Sequence, residues 1–177
     1  PGASSIIDPV GGTGQNFSEL NLNARNGDVS GTHLRVNNPL GSELLFNIPT
    51  IGYKDIRVSF STRRSGSGAG IQYWAYSLDG VNFIGIDTLI VLDADPVLRQ
   101  IDLSLISALD NNPNAKIRVQ FAQGAGSTTG NNRFDNIAID GKIIPPSTLL
   151  HYWNFNNNAT IAAIFQPTQS IIANASL

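Results

Sequence analysis

The chain has 177 residues and a formal net charge of −2, with 14% charged residues. This length suits one domain with a real core, and the weakly acidic balance provides no basic surface for nucleic acid. Cysteine is absent, which excludes disulfides, thiolate zinc sites and cysteine nucleophiles, and no apolar run approaches the roughly 18 residues of a membrane span.

Short segments of alternating apolar and polar residues, separated by Gly, Asn and Pro, begin near the N-terminus. The clearest of them places Ile56, Val58 and Phe60 on one face of a strand and polar residues on the other. Asp79 and Gly80 lie between two such segments and predict a hairpin turn, because glycine accepts a positive φ. Strands are predicted here at residues 5–7, 33–36, 42–48, 54–63, 71–77, 81–86 and 89–92.

The same pattern continues through the second half of the chain. Ile117, Val119 and Phe121 predict another half-buried strand, and residues 104–109 predict a single helical turn. About nine short strands with Gly, Asn and Pro turns predict an all-β fold, an antiparallel β-sandwich of the jelly-roll type. The polar face along each strand argues against a buried parallel sheet. The strands predicted in this half are residues 98–103, 116–121 and 133–140.

An extended C-terminal segment follows Pro145 and Pro146. Residues 149–155 read LLHYWNF, so both faces of a strand would carry aliphatic or aromatic side chains. Such a segment needs a cover, either from its own domain or from a neighbouring copy. We therefore expect a sandwich module at residues 1–144 and an extended segment at residues 145–177.

Six short motifs occur in a fixed order along the chain. They are NARNGD at residues 23–28, GTHLR at 31–35, GYKD at 52–55, TRRSGSG at 62–68, YSLDGVNF at 76–83 and GNNRFDN at 130–136. Together they resemble a β-sandwich module of secreted and surface proteins of Bacteroidota, over about residues 11–141. The resemblance implies a binding module more than a catalytic domain, because no catalytic residue set accompanies it.

In modules of this family, a motif like LHYWNFN at residues 150–156 normally opens the module, whereas here it lies at the C-terminus. This displacement implies insertion of the segment into its own sandwich, donation to the next copy, or a truncated tandem array. Donation is favoured because Pro145 and Pro146 stiffen the exit, and head-to-tail repetition would build an open filament. The donor side chains would be Leu150, Tyr152, Trp153, Phe155, Ile161, Ile164, Phe165, Ile171 and Ile172.

The sequence offers little for catalysis. It has two histidines, and Glu19 and Glu43 are its only glutamates, without the paired carboxylates of a glycosidase. We therefore predict a protein that is not an enzyme but the structural subunit of an extracellular fibre, with other copies of itself as partners. The absence of Cys and Met and the low Lys and Glu content favour an extracellular or cell-surface location, with Pro1 as a processed or excerpted start.

The alternative function is a carbohydrate-binding module of a larger secreted or surface protein, with polysaccharide as the partner. Sugar rings stack on exposed aromatic planes, and Trp74 and Tyr76 share one strand face opposite Tyr73. With Arg57 and Arg118 as hydrogen-bond donors, Trp74 and Tyr76 are the candidate glycan-binding residues. The competing interpretation is that these rings pack under a loop or against the donated strand.

The sequence also contains one candidate metal site, and no other cofactor is expected. Asn26, Asp28 and Asp135 carry the oxygen ligands that calcium prefers. The same residue types also stabilise turns by hydrogen-bonding to their own backbone, and no EF-hand spacing is present. A structural calcium ion is therefore the metal hypothesis to compare with the structure.

Overall fold

The computed structural model describes residues 15–16, 21–29, 32–92 and 95–146 of the chain. The chain divides into two units, Pro1–Ile144 and Pro145–Leu177, and every strand given below belongs to the first. The strands are β1 (Gln15–Asn16), β2 (Thr32–Asn37), β3 (Glu43–Asn47), β4 (Tyr53–Arg64), β5 (Ile71–Ser77), β6 (Phe83–Ile90), β7 (Val97–Asp102), β8 (Lys116–Ala122) and β9 (Asn131–Ile143), with one 3₁₀ turn at Ser107–Leu109.

The strands form two antiparallel sheets, which confirms the predicted all-β sandwich. One sheet has five strands in the order β1-β2-β9-β4-β7, and the other has four in the order β3-β8-β5-β6. Every pair of neighbouring strands runs antiparallel. The consecutive strands β4 and β5 lie in different sheets, so the chain crosses between the layers, as it does in a double-sheet jelly roll.

The core lies between the sheets and is built around four aromatic rings. Phe60 of β4 stacks on Trp74 of β5 with the ring centroids 4.4 Å apart, and Phe134 of β9 lies 6.1 and 6.4 Å from these two rings. Phe121 of β8 lies 6.2 Å from Phe134. Burying a large apolar side chain contributes roughly 1.5–3 kcal/mol, so this cluster, which draws on both sheets, is a main source of the packing energy between them.

Strand β6 corrects the prediction of two strands at residues 81–86 and 89–92. It is a single strand of eight residues. Its register with β5 shifts once, which leaves Ile86 without a Cα partner on β5. A β-bulge of this kind interrupts strict alternation, and this is why the sequence pattern predicted two shorter strands.

Strand β9 is longer than the predicted 133–140 and pairs with β4 across two register shifts. Asp55 of β4 and Asn136 of β9 lie at these shifts with φ of 56° and 47°, a conformation that Asn and Asp adopt more readily than most residues. The helical turn predicted at 104–109 forms as a 3₁₀ turn, and the predicted strand at 5–7 lies outside the described residues.

Two of the six sequence motifs meet where the loop between β4 and β5 packs on β9. The buried side chain of Asn132 accepts a hydrogen bond from Ala69 N (2.9 Å) and donates one to Ala69 O (3.0 Å). Arg64 donates to three carbonyl oxygens of the surrounding loops. A Cβ on Gly68 would overlap the carbonyl oxygen of Asn131, so only glycine fits there. These motif residues therefore have a packing role.

The NARNGD motif fastens a further loop to β9. The Asn23 side chain donates to Asn136 O at 2.6 Å, and the Asn136 side chain donates to Leu22 O at 2.8 Å. Arg25 forms an ion pair with Asp140 at 2.8 Å. Because an exposed ion pair contributes little, the two amide side chains are the main contacts that hold this loop in position.

Candidate functional site

The outer face of the four-stranded sheet carries aromatic, charged and small side chains in three adjacent rows. Directly opposed residues of antiparallel strands point to the same face. Tyr73, which is 46% exposed and lies between the buried Gln72 and Trp74, marks the outer face. Read from β3 to β6, the first row is Glu43, Gln120, Tyr73 and Thr88, the second is Leu45, Arg118, Ala75 and Gly85, and the third is Asn47, Lys116, Ser77 and Phe83.

The second row forms a channel between two aromatic side chains. On β5 and β6 it holds only Ala75 and Gly85, whereas Tyr73 and Phe83 stand in the rows on either side. A Cβ on Gly85 would meet no atom within 4 Å, so the space above it is open. The two ring-bearing rows lie roughly 13 Å apart along the strands, and because Ala75 is only 8% exposed, the open part of the channel is at Gly85. We use the name channel face for the surface formed by Tyr73, Ala75, Phe83, Gly85 and Arg118.

The side chain of Arg118 reaches from β8 across β5 toward β6, over the part of the channel where Ala75 is buried. Its Cζ lies 4.1 Å from the centroid of the Phe83 ring, a cation–π contact. Its Nη1 lies 3.9 Å from Glu43 Oε2, an ion pair that is too long for a hydrogen bond. Gln120 Nε2 lies 3.4 Å from the same carboxylate oxygen and donates to it. The ring and the carboxylate therefore orient the guanidinium without using up its N–H donors.

A tight turn between β5 and β6 positions Phe83, at the place where Asp79 and Gly80 predict a hairpin. Asp79 Oδ1 accepts hydrogen bonds from the backbone N–H groups of Asn82 (2.7 Å) and Val81 (2.9 Å), and Oδ2 accepts one from the Asn82 side chain (2.6 Å). These bonds, those from Asn82 first, hold the pKa of Asp79 well below its usual range. Gly80 has a φ of 79°, which completes the turn.

The structure corrects the assignment of Trp74 and Tyr76 to a glycan-binding surface. Trp74 is 1% exposed, and Tyr76 is partly buried against the core. The Trp74 indole donates to Gln72 Oε1 at 3.2 Å, and the Gln72 amide donates to Thr62 Oγ1 at 3.0 Å. Because Gln72 has these partners inside the sandwich, this polar residue can share the inward face with two aromatic rings. Neither ring offers an open plane to a sugar.

Tyr73 is the aromatic residue that the sequence reasoning passed over. Alternation establishes that Tyr73 and Trp74 face opposite sides of the strand, but it does not establish which side is the core. The register with β8 decides this, because Tyr73 lies opposite the exposed Gln120 and Trp74 lies opposite the buried Val119. That register is a long-range property, which the local pattern does not contain.

Arg57 lies away from the channel face. It belongs to β4 in the five-stranded sheet, opposite Asp102 and Asp140, and its Nε lies 3.3 Å from Asp102 Oδ2. Hydrogen bonds from Ser104, with a smaller contribution from Arg57, hold the pKa of Asp102 below its usual range. Of the four residues predicted from the sequence to bind a glycan, Arg118 lies on the channel face, whereas Trp74, Tyr76 and Arg57 do not.

The candidate calcium ligands lie in two parts of the fold. Asn26 and Asp28 are exposed in the loop that precedes β2, and Asp135 is part of β9. The backbone N–H of Asn136 donates to Asp135 Oδ1 at 2.9 Å, and burial raises the pKa of Asp135. Among the residues that the structure describes, no three His, Cys, Asp or Glu side chains lie together as metal ligands would. A calcium site stays a prediction.

The nine donor side chains, from Leu150 to Ile172, lie outside the described residues. Strand donation by this segment therefore stays a prediction. Within the described ranges, the structure contains no helix with the length and apolarity that crossing a membrane requires.

No protein-family model and no curated protein matches the sequence. The CBM22-1-GH10 modules of xylanase 10B from Clostridium thermocellum, solved with xylohexaose, match with a TM-score of 0.51 and 15% identity, over 85% of this chain and 27% of that chain. The CBM22-1 xylan-binding domain of Paenibacillus barcinonensis Xyn10C matches with a TM-score of 0.47 and 13% identity, over 81% and 100% of the two chains. The K2 cleaved adhesin domain of Lys-gingipain matches with a TM-score of 0.46 and 10% sequence identity, over 76% of this chain and 86% of that chain. These similarities concern the β-sandwich fold.

Proposed function

We propose that the chain is a non-catalytic carbohydrate-binding module of an extracellular or cell-surface protein, and that the channel face is its binding site. The observation that carries this proposal is the pair of aromatic side chains, Tyr73 and Phe83, in the rows on either side of Ala75 and Gly85, together with the open space above Gly85. This arrangement differs from the one nominated by the sequence, because Tyr73 replaces Trp74 and Tyr76.

The chemistry of the channel face suits a sugar ring. The apolar faces of a pyranose pack against an aromatic plane, and its hydroxyl groups need donors and acceptors around the rim. Tyr73 offers such a plane at 46% exposure. Gln120 and Glu43 supply amide and carboxylate groups in the same row of the sheet. Packing in the middle and hydrogen bonds at the rim would together orient the ring.

The shape of the site favours a polymer over a small free sugar. The rows run across four strands, about 14 Å from β3 to β6, and on β6, at the edge of the sheet, the channel ends at Gly85, above which the space is open. A polysaccharide chain lying across the strands can extend beyond this edge, whereas a small ligand usually needs a closed pocket that buries most of its surface.

The test is binding of the full chain to a glycan array, with two tyrosine variants. Tyr73→Ala removes the proposed stacking plane and is expected to weaken binding about tenfold or more, which corresponds to about 1.4 kcal/mol. Tyr53→Ala is the matched control, because Tyr53 is 47% exposed and lies on β4 in the other sheet. Absence of glycan binding, or equal loss in the two variants, would reject the proposal.

A second candidate function is head-to-tail assembly into a fibre, and the edge of β9 favours it. Strand β4 pairs with β9 as far as Ile143, but β2 pairs with β9 only at residues 131–134. Among the described strands, nothing pairs with the other edge of β9 beyond this point, although the loop before β2 contacts Asn136 and Asp140 there through side chains. Ile139 is 39% exposed there, although Val58 opposite it is 1% exposed. An edge of this kind accepts an additional strand.

The strand that we propose for this edge is the segment at residues 145–177 of a neighbouring copy. Electron microscopy of the native material tests this proposal, with Ile139→Arg as the variant, because a charged side chain on the inward face of the edge opposes strand addition. Filaments in the wild type that are lost in a folded Ile139→Arg protein would support assembly. Monomers alone, or filaments that are unaffected by the variant, would reject it.

A further inference from the structure

We infer that the channel face selects acidic polysaccharides, in which a carboxylate of the sugar ring pairs with Arg118. This inference rests on the proposed carbohydrate-binding function and names its substrate class. Its basis is the placement of Arg118 in the same row as Ala75 and Gly85. A ring lying between Tyr73 and Phe83 would direct a substituent of its edge toward this guanidinium.

The charge on the channel face has the opposite sign to that of the whole chain. The charged side chains in the three rows around it are Arg118, Lys116 and Glu43, which gives these rows a formal charge of +1 (two cations and one anion), whereas the chain carries −2. Asp87 of β6 is exposed, but its Cα partner is Trp74 and it is not part of these rows. A face that is cationic on an acidic protein attracts anionic ligands over a distance of about a Debye length.

The guanidinium of Arg118 is oriented for a planar acceptor. The Phe83 ring covers one of its faces at 4.1 Å, and the side chain is 25% exposed. Arg118 Nε is buried and has no hydrogen-bond partner among the described residues, and the contact with Glu43 is 3.9 Å long. The fork of a guanidinium matches the two oxygens of a carboxylate. The Nη1 and Nη2 donors of Arg118, unlike the buried Nε, are thus left for a ligand that brings such a group.

Lys116 adds positive charge at the same side of the channel as Phe83. It lies two residues before Arg118 on β8, about 7 Å along the strand. Its side chain passes over the turn at Gly80, where a Cβ would lie 3.4 Å from Lys116 Nζ. A point charge at this place strengthens the attraction for an acidic chain without specifying its geometry. Arg118 is therefore the residue that would distinguish acidic from neutral sugars.

The experiment is calorimetric titration of the full chain with polygalacturonate and with the fully methyl-esterified form of the same polymer. These two probes share the sugar backbone and differ in the carboxylate charge. We expect the wild type to bind polygalacturonate about tenfold or more tightly than the ester, and added salt to weaken this preference. Arg118→Gln is expected to abolish the preference, and Arg118→Lys to keep only part of it.

Lys54→Gln is the control for general loss of positive charge, because Lys54 is an exposed cation on β4 in the other sheet. The Lys54→Gln variant is expected to keep the full preference for polygalacturonate over its methyl ester. Circular dichroism establishes that each variant is folded. Equal binding of both polymers, lost in Tyr73→Ala, would overturn the acidic selectivity and leave the proposed function standing. Binding of dextran sulfate that is unchanged in Arg118→Gln would show simple cation exchange and overturn it as well. Failure to bind any glycan would overturn both proposals.

Discussion

Replacing Asn132 with alanine tests whether the GNNRFDN motif stabilises the fold. The Asn132 side chain is fully buried and takes both backbone groups of Ala69 as partners, at 2.9 and 3.0 Å. Without the amide, a buried N–H and a buried C=O lose their partners, and each unsatisfied group costs about 1–3 kcal/mol. We therefore expect Asn132→Ala to lower the free energy of unfolding by at least about 2 kcal/mol, a large part of the about 5–15 kcal/mol of a typical domain.

Urea unfolding measures this effect, because a shift of the midpoint at constant m reports stability alone. Asn114→Ala is the matched control, since Asn114 is an exposed turn residue and surface substitutions usually change stability by less than about 0.5 kcal/mol. If Asn132→Ala unfolds within about 0.5 kcal/mol of the wild type, the motif does not hold the loop at Ala69 as described.

Three further outcomes are expected. Gly126→Ala should destabilise the fold strongly, because its Cβ would overlap the carbonyl oxygen of Gly68; thermal unfolding checks this, and an unchanged midpoint would contradict it. Gly85→Leu should abolish glycan binding at nearly unchanged stability, because it fills the open channel; binding that survives in this variant would contradict the site. The pKa of Asp79 is lowered in the fold, so its charge stabilises above its unfolded value of about 3.9. The stability difference between wild type and Asp79→Asn should therefore be present at pH 7 and shrink below about pH 3.9; a difference that does not change with pH would contradict it.

The sandwich could be predicted from the sequence because its strands alternate locally. Ile56, Val58 and Phe60 are all buried, as their spacing predicts. The exceptions are bulges, where alternation fails for one residue. The extra Ile86 made one strand look like two, and the predicted β9 ended at Asp140, beside the register shift that separates this residue from Lys142. Such shifts depend on the partner strand, which a local pattern does not contain.

The site was harder to predict, because it depends on which side of β5 is the core. Trp74 looked like a binding residue because it is large and aromatic, but such a ring also fills a core well, and it stacks on Phe60 at 4.4 Å. Arg57 and Arg118 both occupy outward-facing positions in the alternation of their strands. They differ in the sheet to which the strand belongs. Sheet membership arises from long-range pairing, so residue spacing gave no means of separating the two.

The measurement that tests the central claim most directly is the change of amide NMR signals when the chain is titrated with a polysaccharide that it binds. We expect the largest changes on β5, β6 and β8, at Tyr73, Ala75, Phe83 and Arg118. Changes that cluster on the five-stranded sheet, around Arg57 or Ile139, would contradict the assignment of the binding site to the channel face.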